Sequence, residues 1–141
     1  MITDCLGCRL ANKLETVQII YEDDLIICFL DIAPLNEGHT LILPKKHYRD
    51  VDDLGIEVAT AIMVAAAKIS RALKISFSPD GISIIQNGGQ FNDLGHYHMH
   101  VFPRYIDDGF AWMEPEDVTE AKDRLGETKE RLANVLISIK E

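Results

Sequence analysis

Positive charge is the scarcer kind in this chain of 141 residues: 14 lysines and arginines stand against 23 aspartates and glutamates, for a formal net charge of −9. No basic stripe stands out, so binding of nucleic acid through phosphate neutralisation is not expected. An anionic ligand would need a local site able to hold it against the overall charge. Long apolar runs are missing too. The most apolar stretch, Val58 to Ala67, is too short to span a membrane and runs into Lys68 and Arg71. The opening MITDCLGCRL has no basic segment leading into an apolar run, so no secretory leader is expected. Cysteine is sparse and odd in number. Cys5, Cys8 and Cys28 make no disulfide framework, which points to a reducing cytoplasm.

The hydrophobic content of 47% is that of an ordinary core, and the whole chain, 1–141, reads as one domain. CLGCRLANKLE reads as a short helix with the cysteine pair near its start. VQIIYEDDLIICFLD reads as two β-runs about the polar turn Glu22-Asp23-Asp24. Asp31 to Gly38 follows as a loop, and His39 to Leu43 as a third strand ended by Pro44. From Asp53 to about Lys74, the residues Val58, Ile62, Ala65, Ala66, Ile69 and Leu73 recur at helical spacing, with Asp52 or Asp53 as the cap. A fourth strand, Ile82 to Gln86, a glycine-rich loop NGGQFNDLG and a fifth strand come next. A final helix is expected from near Glu116, with Leu125, Leu132 and Leu136 among its buried residues. The expected fold class is α+β: a five-stranded antiparallel meander sheet, one long central helix, a short N-terminal helix and a C-terminal helix. The core covers about 5–104, and 105–141 is an extension.

Three of the five histidines fall at alternate positions in GHYHMHVFPR, Gly95 to Arg104. On a strand this places His96, His98 and His100 on one face and Tyr97, Met99 and Val101 on the other, which suits a core-facing side. Such a row could be a solvated strand face or a metal centre. It could also be a catalytic group in which the middle imidazole attacks phosphorus while its neighbours orient it and neutralise oxygens. Convergence of all three on one ion is difficult, because the outer pair lies roughly 13 Å apart at Cα. Cys5-Leu-Gly-Cys8 is a C-x-x-C, which by itself is compatible with redox chemistry, metal binding or chance.

The run His96-Tyr97-His98-Met99-His100-Val101-Phe102-Pro103-Arg104 resembles the signature of the histidine triad family of nucleotide hydrolases and transferases. FLDIAPLNEGHTLILPKKH, Phe29 to His47, is similar to the strand–loop–strand that precedes it in that family. The resemblance implies that His98 is the nucleophile, with His100 and His96 beside it. Asp31 would take the ribose hydroxyls, Ile32, Phe29 and Leu6 would wall the base, and His39 would orient its neighbours. Asn87 and Asn92 are further candidates for phosphate or sugar contact, and Asn87 reads equally as a turn residue before Gly88-Gly89. The resemblance also implies a structural zinc on Cys5, Cys8, His47 and His96, no catalytic metal, a purine nucleotide or nucleotide conjugate as ligand, and a homodimer. One position departs from the family pattern. Asp93 stands where a hydroxyl is common, and an ionised carboxylate there would repel a phosphate. The expected activity is hydrolysis at the α-phosphate of a nucleoside phosphoramidate, adenylylated compound or dinucleoside polyphosphate. The rival readings are a nucleotide-sensing module with little activity and a metal-dependent hydrolase using the triad as ligands.

Overall fold

Alternation and helical spacing account for most of the elements in the computed structural model, which describes residues 4–116 and 119–140. The first helix, α1 (Leu6–Ala11), is capped by Cys5, whose sulfur accepts from the Cys8 amide. The strands β1 (Ile19–Glu22) and β2 (Ile26–Leu30) form a hairpin. Asp23 holds its turn by accepting from the amides of Leu25 and Ile26. Strand β3 (Thr40–Pro44) follows, then the long helix α2 (Ile56–Phe77), then β4 (Gly81–Gln86) and β5 (Met99–Arg104).

Every strand pair is antiparallel, but the order β1-β2-β3-β5-β4 is not the meander the chain order suggested. The departure comes after β3. There the 22 residues of α2 cross one face of the sheet and deliver the chain to the far edge as β4. The chain then doubles back, and β5 fills the slot beside β3. The strand that ends the histidine run is thereby interior, between β3 and β4, which no local pattern discloses.

The two faces of the sheet have different cores. On one, the expected stripe of α2, Val58, Ile62, Ala65, Ala66, Ile69 and Leu73, packs on Ile26, Cys28, Ile42, Tyr97, Met99 and Val101. On the other, Ile27, Phe29, Leu41 and Leu43 form a smaller cluster with Ala11. Burying residues of this kind stabilises by about 1.5–3 kcal/mol each. Burial also pushes the Cys28 thiol up to about 12, so it stays protonated and inert.

The cap of α2 also differs from expectation. Asp53 closes a short 3-10 turn, Val51–Asp53, by accepting from the amides of Arg49 and Asp50, and Gly55 begins the helix with no side-chain cap. Extended Leu54 separates the two elements.

The chain divides into two compact units, 1–110 and 111–141. The second unit carries α3 (Thr119–Asp123) and α4 (Leu125–Ser138). Leu125, Leu132 and Leu136 were expected to be buried and are instead exposed, at 66%, 58% and 67%. Their spacing specifies a helix, but burial needs an opposing layer, and spacing supplies none. Among the described residues no helix is long and apolar enough to cross a membrane.

Candidate active site and metal centre

The core side of the histidine run holds the other side in place. Tyr97, Met99 and Val101 lie under α2, so His98 and His100 emerge on the opposite face, where His100 pairs with Leu41 of β3. Regular pairing starts only at Met99. The extended approach to it is anchored where the Tyr97 amide donates to the Tyr48 carbonyl at 2.7 Å.

His96 turns toward α1. Its Nε2 is 2.8 Å from the Pro44 carbonyl, which can only accept, so that nitrogen carries the hydrogen and Nδ1 carries the lone pair. Nδ1 lies 3.5 Å from the Cys8 sulfur and 3.7 Å from that of Cys5, and His47 Nδ1 is 3.4 Å from the Cys8 sulfur. Sulfur and nitrogen ligands of a tetrahedral zinc, at about 2.3 and 2.0–2.1 Å from the ion, are separated by about 3.6 Å. All four ligand atoms lie within 4.8 Å of one another. The donor set therefore fits zinc, with Pro44 fixing the tautomer from behind. Burial, with His47 and His98 adding to it, lowers the His96 pKa against the pull of the Pro44 hydrogen bond, and the neutral ring is the form a metal takes. Gly7 belongs to this centre although it carries no ligand. A Cβ at that position would run into Cβ and Cγ of His96.

Two residues on, the surroundings change. His98 donates from Nδ1 to the His96 carbonyl at 2.9 Å, so a neutral ring keeps its lone pair on Nε2. Beside it runs a relay. The Leu35 amide donates to His39 Nδ1 at 3.1 Å, which leaves the hydrogen of the neutral His39 ring on Nε2. That nitrogen is 2.9 Å from His100 Nδ1, so the hydrogen of His100 sits on its own Nε2. Burial drives the His100 pKa down to about 4, with the charges of His98 and His39 acting in the same direction. His39 is also lowered by burial, offset in part by Asp31. Asp31, His39 and His100 bring donor atoms close enough together to invite a metal. The Leu35 contact argues otherwise, because it leaves His39 Nε2 a donor rather than a lone pair.

His98 and His100 line a cavity of about 380 Å³. Leu6, Leu10, Val17, Phe29 and Ile32 form its apolar side, and Asp31 and Asp93 stand on the polar side. Asp31 is tied down by accepting from the Ala33 amide at 2.9 Å. The structure thus brings Leu6, Phe29, Asp31, Ile32, His98 and His100 to one space, with His39 behind them. Asn87 and Asn92 do not line it. Asn92 is buried, and its amide is fully occupied: Nδ2 donates to the Arg49 carbonyl at 2.7 Å and Oδ1 accepts from the amides of Leu94 and Gly95. Leu10, Thr16, Val17 and Leu94 line the cavity without having been expected to. Leu10 sits on α1 itself, Thr16 and Val17 follow it, and Leu94 comes from the loop before the histidine run.

Residues 13–107 match the model of the HIT domain. Among curated proteins, the chain is 35% identical over 126 residues to Protein hit of Bacillus subtilis, covering 85% of this chain and 86% of that one. It is 32% identical over 103 residues to Adenylylsulfatase HINT3 of Arabidopsis thaliana, covering 72% of this chain and 52% of that one. Among solved structures, a HIT family protein from Bacillus anthracis superposes with a TM-score of 0.84 at 30% identity, over 99% of this chain and 100% of the other. A zinc-bound histidine triad family protein from Mycobacterium smegmatis superposes with a TM-score of 0.70 at 30% identity, over 93% and 96%.

Proposed function

We propose, since the chain belongs to the HIT domain family, that it is a nucleotide hydrolase working through a nucleotidyl intermediate on His98. The observation that carries this reading is the His98 tautomer: Nδ1 is committed to the His96 carbonyl, so in the neutral ring the lone pair is on Nε2, beside the cavity and 3.2 Å from Asp93 Oδ1. That nitrogen attacks the α-phosphorus, the N–P bond forms as the bond to the leaving group breaks, and water then displaces the imidazole. His100 Nε2–H donates to a phosphate oxygen or to the leaving group, held in that tautomer by His39. Asp31 accepts the ribose hydroxyls, and the apolar side takes a purine base. Candidate substrates are nucleoside phosphoramidates, adenylylated compounds and dinucleoside polyphosphates.

Cys5, Cys8, His47 and His96 would hold a structural zinc, which supplies a rigid joint between α1 and the approach to β5. Its effect on the site is indirect, since α1 carries Leu6 and Leu10 to the cavity. We place the protein in a reducing cytoplasm, in keeping with a cysteine count of three that makes no disulfide framework. We also read it as a homodimer, in keeping with exposed Met63 and Val64 on α2 and the unpaired edge of β4. Sedimentation of the purified protein decides that last point.

The deciding experiment is a panel of adenosine and guanosine phosphoramidates and dinucleotides, followed by acid quench and mapping of any adduct. A nucleotidyl group on His98, absent from His98→Asn and His98→Ala variants that still bind nucleoside monophosphate, is the expected result. Nucleotide binding with neither adduct nor turnover would make the protein a sensing module instead.

A further inference from the structure

Asp93 lies 3.2 Å from Nε2 of His98 through Oδ1, and its side chain is 87% exposed. The contact is built by the loop around it. Buried Asn92 ties the loop to Arg49 on one side and to the amides of Leu94 and Gly95 on the other. Gly95, at φ +61°, then reverses the chain into the histidine run. Between these anchors, Asp93 projects over the same cavity that His98 and His100 line. The loop thus sets a negative charge beside the nitrogen we assign as nucleophile.

Such a charge has two effects. As Nε2 forms its bond to phosphorus, the ring passes from neutral to cationic while its Nδ1 hydrogen stays on the His96 carbonyl. A carboxylate beside the ring stabilises this developing charge, so relative to the neutral ring it favours the transition state. A ring protonated on Nε2 would be held by the same charge and has no lone pair to attack with. The same charge repels anionic groups held near phosphorus, and the repulsion grows with their charge. We infer that Asp93 is a catalytic and specificity-determining residue that restricts this enzyme to nucleotide conjugates whose leaving group is uncharged or cationic, and that disfavours polyphosphate and sulfate leaving groups. This rests on the assignment of His98 as nucleophile. The electron and atom balance is that of the proposed reaction: the Nε2 pair forms N–P, the P–X pair departs with X, and Asp93 contributes charge but no atom.

The test compares wild type with Asp93→Asn, Asp93→Ser and Asp93→Glu. Substrates are adenosine and guanosine 5′-phosphoramidates with a neutral and with an ammonium-bearing amine, together with adenylyl sulfate and diadenosine tetraphosphate. Melting temperatures of the variants should match wild type, given the exposure of the side chain. The expected result is that kcat on the phosphoramidates falls about tenfold in the Asn and Ser variants. The ratio of kcat/KM between phosphoramidate and tetraphosphate should fall at least as far, and the Glu variant should keep most of the preference. A second measurement needs no turnover. Adenosine monophosphate, a dianion, should gain affinity relative to its methyl ester, a monoanion, when Asp93 becomes Asn. If all substrates change by one common factor and the affinity ratio stays fixed, Asp93 is no charge filter and the inference falls. Absence of any His98-dependent turnover would overturn the proposed hydrolase instead, and the affinity ratio would still decide the role of the Asp93 charge.

Discussion

His96 and His100 project from one face of a single extended run, and their surroundings have almost nothing in common. His96 is closed in between α1 and the Pro44 carbonyl, with two sulfurs and a second imidazole in front of its lone pair. His100 stands in a cavity, held by another histidine and flanked by carboxylates. His98, between them, donates from Nδ1 to the backbone of the first, and its Nε2 stands 3.2 Å from Asp93 Oδ1. In each ring, the group that hydrogen-bonds one nitrogen decides what the other can do. A carbonyl behind His96 turns the Nδ1 lone pair toward the cysteine sulfurs, a carbonyl behind His98 leaves the lone pair of the neutral ring on Nε2, and a donor behind His100 leaves it a donor. The same residue at alternate positions is fitted for different chemistry because its rear partner differs.

The sharpest way to break this comparison is at its centre. His98→Asn should lower hydrolysis on the order of 10⁴-fold or more while leaving thermal stability near wild type, as single-turnover kinetics and calorimetry would record. The metal end should behave in the opposite sense. Cys8→Ser should abolish stoichiometric zinc and lower stability by several kcal/mol, measured by elemental analysis and denaturant unfolding. If Cys8→Ser left stability and metal content unchanged, the centre would be a reduced dithiol, and the contrast between the two ends would lose half its basis.

Smaller changes refine the picture. His39→Phe removes the hydrogen that fixes His100, and kcat should fall about 10–100-fold with little change in nucleotide affinity. Gly7→Ala forces α1 away from His96, and a loss of about 1–3 kcal/mol in unfolding free energy is expected. The mildest effect is a dependence on acid. His100 titrates near 4 in the fold and near 6.5 when unfolded, so the unfolded chain binds the proton first as pH falls. Its contribution to stability is complete above about pH 6.5 and is lost progressively toward pH 4. His100→Gln should flatten that part of the stability profile, and denaturant titrations across the range would register it.

The elements that were legible in the residue order are those whose burial is repeated along one segment. All six apolar positions foreseen on α2 are buried, because a helix shows the same face every three to four residues. The alternation of Tyr97, Met99 and Val101 with the three histidines likewise specifies which side of the run is core. The matched motifs brought out Phe29, Asp31, Ile32, His98 and His100, all of which line the cavity. Asn92 and Asp93 were harder. An amide and a carboxylate in a loop look alike as polar candidates, and only the fold buries the first as a staple and projects the second over His98.

Residue order by itself therefore determined which side chains stand on which face of each element, since backbone periodicity is a local property. The tertiary structure alone decided which elements meet. It set β5 between β3 and β4, brought Cys5 and Cys8 to His96 across some ninety residues of chain, and left the leucines of α4 exposed. Such contacts depend on the path α2 takes over the sheet and on where α1 is pinned, and neither is encoded in the spacing of neighbouring residues.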